Sequence, residues 1–147
     1  MNKKLQFTVQ ISAPVQTVWN TMLDHPGYEQ WTSHFCEGST YAGSWEKGAS
    51  IHFVDPSGNG MVSEIAENIP HAFLSIRHLG EKKDGVIDTQ SEKVKSWAPA
   101  YENYTFAEKD GMTALTVDTD VTPEWEQYMA EAWPKALAKL KEICEAK

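Results

Sequence analysis

The C-terminal stretch, residues 122–147, constrains the fold more than any other part of this sequence. Thr122 is a favourable N-cap, and Pro123 suits the first helical position, where an α-helix leaves the backbone N–H unpaired anyway. Apolar side chains then recur at spacings of three and four, which is typical of a helix with one buried face. They are Trp125, Tyr128, Met129, Ala132, Trp133, Ala136, Leu137, Leu140, Ile143 and Cys144. The pattern predicts one long amphipathic helix.

The length of this helix determines what it can cover. At ~1.5 Å per residue it spans roughly 36 Å, more than a strand of about eight residues at ~3.3 Å each, so it must cross several strands. Pro134 predicts a kink that separates a half with large amphipathic side chains from a plain aliphatic half. We expect the aliphatic half to pack in the core, and the first half either to line a binding site or to be ordinary core.

The rest of the chain predicts an antiparallel meander. Residues 5–11 alternate between apolar and polar, which is typical of a strand with one buried face. Two short helices follow, at 15–23 and 28–32, separated by the helix-breaking residues 24–27. Glycine and proline clusters then divide the sequence into about six strands, at 35–40, 45–54, 61–68, 72–79, 101–108 and 112–120. A bulge near Gly48 is expected to interrupt the strand 45–54. This order predicts an α+β fold in which a curved antiparallel sheet wraps around the C-terminal helix.

One segment does not fit the meander. Residues 81–99 are polar and irregular, although Val94 and Trp97, three apart, permit a single helical turn from Ser91. Connections of this length between strands are often functional. We expect this segment to cover an opening as a lid.

The bulk properties narrow the class of protein. The 147 residues suffice for a single domain, 1–147, with its own core. A net charge of −8, with no basic run beyond Lys82-Lys83, disfavours a nucleic-acid or anionic-membrane partner. Cys36 and Cys144 form no disulfide framework, the alternating N-terminus is unlike a signal peptide, and no run approaches the ~20 apolar residues of a membrane span. We therefore expect a cytoplasmic protein.

Several common chemistries lack a motif in this sequence. The histidines at 25, 34, 52 and 71 do not have the spacing of zinc ligands. A phosphate loop, a dinucleotide fingerprint and a serine nucleophile elbow are also missing. The sequence predicts neither a metal site nor a cofactor.

Two ionisable residues are candidates for chemistry. When the apolar residues of each strand are placed inside, the same parity directs Ser63, His78 and Glu102 inward. A carboxylate beside an imidazole is able to move a proton, so His78 and Glu102 are candidate catalytic residues. The alternative is that both lie at strand ends and are solvated.

Large side chains predict a pocket for an apolar molecule. Trp31, Trp97, Tyr101, Tyr128, Met129 and Trp133 are expected to surround its mouth, or else to seal one end of the core. The complete set of predicted ligand-binding residues is Trp31, Phe53, Ser63, Ile76, His78, Trp97, Glu102, Tyr104, Tyr128, Met129 and Trp133.

Short motifs along nearly the whole chain resemble the START-like, or SRPBCC, helix-grip superfamily. They are Ala13-Pro14-x-x-x-Val18-Trp19, Tyr28-x-x-Trp31, Glu37-Gly38-Ser39, Trp45-x-x-Gly48, Asp55-Pro56-x-Gly58 and Trp133-Pro134-x-x-Leu137-x-x-Leu140. Within the superfamily the chain is similar to single-domain proteins related to the activator homologue of the heat-shock protein 90 ATPase. The resemblance implies a sheet curved around the terminal helix and, as in many relatives, a cavity that holds a lipid or another apolar molecule.

Three functions follow as expectations. The first is a carrier or sensor that holds a small hydrophobic ligand between the sheet and the C-terminal helix. The alternative is a cyclase or hydrolase that uses His78 and Glu102. The second alternative is a protein-interaction module of the chaperone-activator type. Pairing into a homodimer, through the outer sheet face or the first strand, stays open.

Overall fold

The computed structural model describes residues 2–147 and contains one antiparallel sheet flanked by helices. The strands are β1 (Lys3–Ile11), β2 (Thr40–Gly43), β3 (Ser50–Val54), β4 (Gly60–Ile69), β5 (Phe73–Lys83), β6 (Val86–Asp88), β7 (Ala100–Lys109) and β8 (Met112–Val121). Their order in the sheet is β1-β8-β7-β5-β4-β3-β2, and β6 pairs with the end of β5. The helices are α1 (Val15–Leu23), α2 (His25–Trp31), α3 (Glu92–Lys95) and α4 (Glu126–Glu145).

The α+β helix-grip prediction is confirmed by this arrangement. The long C-terminal helix packs on the apolar face of the sheet, and two short helices follow the first strand. The buried residues of α4 include Ala136, Leu137 and Leu140, as the aliphatic half of the sequence pattern predicted. They share one core with inward residues of the sheet such as Leu74 and Leu115.

The opposite face of the sheet is polar where β1 pairs with β8. Lys4 and Asp120 form an ion pair at 2.8 Å between β1 and β8, and Gln6 donates to Asp118 at 2.7 Å on the same strands. The sheet therefore has one buried and one solvated face, as antiparallel sheets commonly do.

The helix boundaries differ from the sequence prediction at two prolines. Pro123 opens a 3-10 turn, Pro123–Trp125, in which the Trp125 N–H donates to the Thr122 carbonyl at 3.0 Å, and α4 begins only at Glu126. This tighter turn is common at helix ends. Only Asp24 separates the two short helices, and residues 25–27 form the first turn of α2, because proline is favourable in a first helical turn.

Two strand predictions were wrong in their extent, and a third strand, predicted at 72–79, runs past its predicted end. The segment 35–40 is mostly turn, because Gly38 takes a positive φ of 86° and breaks the extended run before β2. The predicted strand 45–54 is interrupted at Gly48, as expected, but the break is a turn with a positive φ and not a bulge, so only β3 remains. Residues 81–99 contain more regular structure than the sequence predicted: β5 continues to Lys83 and β6 follows, whereas α3 is the single helical turn that the sequence permitted from Ser91.

Candidate functional site

Four polar side chains form a hydrogen-bonded network on the inner face of the sheet. Ser63 Oγ lies 2.6 Å from Nδ1 of His78, and Nε2 of His78 lies 3.1 Å from Oε1 of Glu102. The hydroxyl of Tyr104 donates to the other carboxylate oxygen of Glu102. Ser63 and Tyr104 are buried, and the side chains of His78 and Glu102 are only 12% and 22% exposed. The two ionisable groups are therefore shielded from solvent, and His78 lies well inside β5, not at its end.

The strand register brings this polar network together. β5 pairs with β4 on one side and β7 on the other, so that His78 lies opposite Ser63 while Ile76 lies opposite Glu102. The register between β4 and β5 shifts next to the Ser63–His78 pair, which leaves Leu79 as the extra residue of a bulge. Bulges redirect side chains and are frequent beside functional sites.

The polar network is fully satisfied when His78 is neutral and Glu102 is ionised. The Ser63 hydroxyl then donates to Nδ1 of His78, and the Nε2–H of His78 donates to Glu102. Tyr104 supplies a second donor to the same carboxylate. Because a carboxylate offers about four acceptor positions, Glu102 can still accept from another donor.

Two tyrosines show the electrostatic effect of this carboxylate. Burial raises the pKa of Tyr104 well above its usual value, and the charge of Glu102 raises it further. The pKa of Tyr28 is raised in the same way, first by burial and then by the charge of Glu102 acting through space. Both hydroxyls therefore keep their protons at neutral pH and are available as donors.

A small cavity adjoins the polar network. Its volume is about 10 Å³, close to the space that one water molecule needs. Apart from Glu102 its walls are mainly apolar, and the lining residues are Met22, Leu23, Tyr28, Trp31, Trp45, Phe53, Leu74, Ile76, Glu102 and Tyr104. Sites for drug-sized molecules have volumes of about 300–1,000 Å³. This cavity is therefore closed to a ligand of that size.

The cavity lies under α1 and α2, whereas the sequence analysis placed it between the sheet and the C-terminal helix. None of its lining residues belongs to α4. Trp133 on α4 is 4% exposed and occupies the space between that helix and the sheet. Its ring centroid lies between 4.8 and 6.2 Å from those of Phe7, Trp31, Phe35 and Tyr104.

The structure brings a subset of the predicted site residues together. Those that line the cavity are Trp31, Phe53, Ile76, Glu102 and Tyr104. Ser63 and His78 lie behind Glu102 in the polar network.

The other predicted site residues lie elsewhere. Met129 and Trp133 pack against the core, and Tyr128 is 43% exposed, with its hydroxyl donating to the Phe35 carbonyl. The carbonyl of Trp97 accepts a hydrogen bond from Asn2, and Trp97 does not line the cavity.

The six residues predicted to surround a pocket mouth do not form one ring. Trp31 and Trp133 are core residues. Tyr101 precedes the inward Glu102 on β7, and successive side chains of a strand point to opposite faces, so Tyr101 lies on the outer face.

Part of the lining was missed by the sequence analysis. Tyr28 and Trp45 belong to the sequence motifs of the superfamily, but their spacing along the chain carries no sign of a shared cavity. Long-range contacts place Trp45, whose Nε1 donates to the Leu23 carbonyl at 3.2 Å. The Tyr41 hydroxyl donates to the same carbonyl at 2.5 Å, which joins the end of α1 to β2.

The segment 81–99 contributes no residue to the cavity. It is folded into β6 and α3, and Ser91 caps α3 by accepting a hydrogen bond from the Val94 N–H at 3.2 Å. Val94 is fully buried but lies outside the main core cluster. In this conformation the segment does not cover the cavity, so the structure gives the lid prediction no support.

Two other kinds of functional feature are missing from residues 2–147. No helix there combines the length and the apolar character needed to cross a membrane. No group of three or more His, Cys, Asp and Glu side chains in that range is close enough together to hold a metal ion.

A family model matches most of the chain. It describes the Activator of Hsp90 ATPase homolog 1-like protein, and the match covers residues 12–145. The chain belongs to this family. The resemblance drawn from the sequence motifs is thereby confirmed. No sequence among curated proteins matches the chain significantly.

Solved structures share the fold of this family member. Protein MLL2253 from Mesorhizobium loti matches with a TM-score of 0.74 at 15% identity, covering 99% of this chain and 98% of that chain. The Aha1 dimer from Colwellia psychrerythraea, a solution structure, matches with a TM-score of 0.74 at 15% identity, covering 97% and 96%. CalU16 from Micromonospora echinospora matches with a TM-score of 0.69 at 17% identity, covering 97% and 76%. Identities this low show a shared fold, and a shared fold does not specify a shared ligand.

Proposed function

We propose that this protein binds a small, mainly apolar molecule in its interior and holds a hydrogen-bond donor of that molecule on Glu102. The observation that carries the proposal is the position of Glu102, a carboxylate in the wall of an otherwise largely apolar cavity. His78 and Tyr104 hold this carboxylate in place and leave it with acceptor capacity. Apolar walls with a few fixed polar groups are typical of small-molecule sites.

Binding requires the interior to open, because the present cavity has room for about one water molecule. Tyr28, Trp45 and Phe53 form an aromatic cover over the cavity, with ring centroids 5.7 to 6.3 Å apart. All three are only partly buried, and they lie on α2, on the turn before β3 and on β3. Rotation of these rings toward solvent would enlarge the cavity without disturbing α4.

Membership of the family supports the proposal from another direction. The chain shares a fold with START-like proteins, many of which hold an apolar molecule under a curved sheet. Native mass spectrometry of the purified protein should therefore detect a co-purified small molecule, and denaturation should release it.

A cavity-enlarging variant tests the proposal with a chosen probe. Phe53→Ala removes one ring of the aromatic cover and should let the protein bind phenol, measured by calorimetry. Phe73→Ala is the matched control, because Phe73 is a half-buried phenylalanine on the outer face of β5 and does not line the cavity. Phenol binding by both variants, or by neither, would contradict an interior site.

A proton-transfer enzyme is the second candidate, and the Ser63–His78–Glu102–Tyr104 network favours it. Ser63 is only 1% exposed, so its hydroxyl has no room to act as the nucleophile of a hydrolase. Glu102 faces the cavity and is the group able to take a proton from a bound molecule. An enzyme of this kind would exchange a C–H proton of a bound ketone with solvent deuterium, and Glu102→Gln would slow the exchange; a binding protein would show no exchange.

Self-association is a further expectation, since the Colwellia neighbour is described as a dimer. Light scattering at several protein concentrations measures it directly.

A further inference from the structure

A groove on the outer face of the sheet is far larger than the interior cavity. Its volume is about 470 Å³, within the range of about 300–1,000 Å³ that small-molecule sites occupy. Glu64 and Arg77 face each other across β4 and β5 and form its floor together with Leu79, the extra residue of the bulge. Lys95, Ala98 and Pro99 form its wall.

The wall is held close to the sheet by local structure. A Cβ atom at Gly80 would lie 2.2 Å from the Asp88 carbonyl oxygen, so only glycine lets the chain pass this near to β5. The Asp88 carboxylate accepts hydrogen bonds from the backbone N–H groups of Gln90 and Ser91 at 3.1 and 2.9 Å. The fully buried Val94 anchors α3. The groove is therefore already formed, unlike the interior cavity.

The charge in the groove is opposite in sign to that of the whole protein. Arg77 and Lys95 provide two cations against the single carboxylate of Glu64, in a chain with a net charge of −8. Lys95 forms no ion pair among residues 2–147. Arg77 contacts Glu64, but its Nε is buried without a hydrogen-bond partner, so Glu64 alone does not satisfy the guanidinium.

We propose that this groove binds a small organic acid, a carboxylate attached to an apolar body. The carboxylate would lie between Arg77 and Lys95 and would replace Glu64 as the partner of the guanidinium, since paired N–H donors of arginine match a carboxylate well. The apolar body would rest on Leu79, Ala98 and Pro99. The site does not depend on the interior binding proposed above.

Chemical-shift titration of the folded protein with phenylacetate tests this inference. Saturable shifts are expected at the backbone amides of Leu79, Thr89 and Ala98, and phenylacetamide, which has the same body without the charge, should produce none. The same titration of Phe53→Ala should be unchanged, which separates this site from the interior one. Equal shifts with the acid and the amide, or no saturable shift with the acid, would overturn the inference.

Four variants assign the roles of the charged residues. Arg77→Gln should weaken phenylacetate binding about tenfold and Lys95→Gln about threefold, because each removes a charge-assisted contact. Glu64→Gln should strengthen binding several-fold by freeing the guanidinium, a gain that a merely structural residue would not give. Lys93→Gln is the control, since Lys93 lies on the same short helix, pairs with Glu81 at 3.7 Å and does not line the groove. A loss with Lys93→Gln as large as with Lys95→Gln, or no gain with Glu64→Gln, would contradict the assignment.

Discussion

The two faces of β5 show how one strand can serve two different environments. Ile76 and His78 face a closed interior with a cavity of about 10 Å³, whereas Arg77 and Leu79 face an open groove of about 470 Å³. The inner face of the sheet carries the carboxylate of Glu102, on the neighbouring β7, with its donors, and the groove on the outer face carries an excess of positive charge. A drug-sized molecule therefore fits the interior only after the cavity opens, whereas the groove on the outer face is open in this structure.

Hydrogen bonds on the inner face explain why the carboxylate of Glu102 is tolerated there. Burying an unpaired polar group costs free energy, and burying an unpaired charge costs far more. Glu102 avoids this cost because His78 and Tyr104 both donate to it.

The largest difference in stability is expected between substitutions at two apolar residues of β5, Ile76 and Leu79. Ile76→Ala should lower the free energy of unfolding by about 2–5 kcal/mol, because it leaves a cavity among buried neighbours. Leu79→Ala should cost less than about 1 kcal/mol, because Leu79 is half-buried beside an open groove. Urea unfolding of both variants measures the difference, and similar losses would mean that the outer face is packed as tightly as the core.

The next largest change in stability is expected in the polar network of Ser63, His78, Glu102 and Tyr104. Ser63→Ala should destabilise the protein by about 1–3 kcal/mol, because Nδ1 of His78 then loses its hydrogen-bond partner inside the protein. Ser50→Ala, at an exposed position on β3, should change stability by less than about 0.5 kcal/mol. A neutral Ser63→Ala variant would show that water replaces the hydroxyl, and hence that the network is wetter than its burial indicates.

Alkaline pH should lower the free energy of unfolding, because the buried hydroxyl of Tyr104 resists losing its proton in the folded protein. Burial raises the pKa of this hydroxyl in the folded protein, whereas the unfolded chain loses the same proton near pH ~10. The stabilisation is therefore complete below pH ~10 and is lost as the pH rises further, by up to about 1.4 kcal/mol per pH unit. Tyr104→Phe should show a smaller slope of unfolding free energy between about pH 10 and 11, and equal slopes in the two proteins would contradict the assignment.

The smallest change in the free energy of unfolding is expected when the ion pair on the outer face is removed. The side chains of Arg77 and Glu64 are 38% and 28% exposed, so solvent screens their attraction. Arg77→Gln should therefore change the free energy of unfolding by less than about 1 kcal/mol in urea titrations. A larger loss would show that Arg77 is a structural residue.

The sequence was sufficient to predict elements whose pattern is local. The three- and four-residue spacing of Leu137 and Leu140 and the alternation of Phe7 and Val9 predicted α4 and β1, because burial of one face imposes those periods. The same alternation directed His78 and Glu102 inward, and the structure places both in one network.

Features that depend on contacts between distant residues could not be predicted. The bulge at Leu79 shows only in the pairing of β4 with β5, and Trp45 reaches the cavity through its hydrogen bond to Leu23. The location of the cavity depends on how completely Trp133 fills the space under α4. Spacing along the chain contains none of this information.

Calorimetry on the Phe53→Ala background measures whether Glu102 anchors a ligand in the interior. We predict that adding Glu102→Gln weakens phenol binding at least about tenfold, because a charged acceptor is replaced by a neutral one. Toluene, which has no donor, should bind both proteins equally. Equal losses for phenol and toluene, or no loss for either, would contradict an anchoring role for this carboxylate.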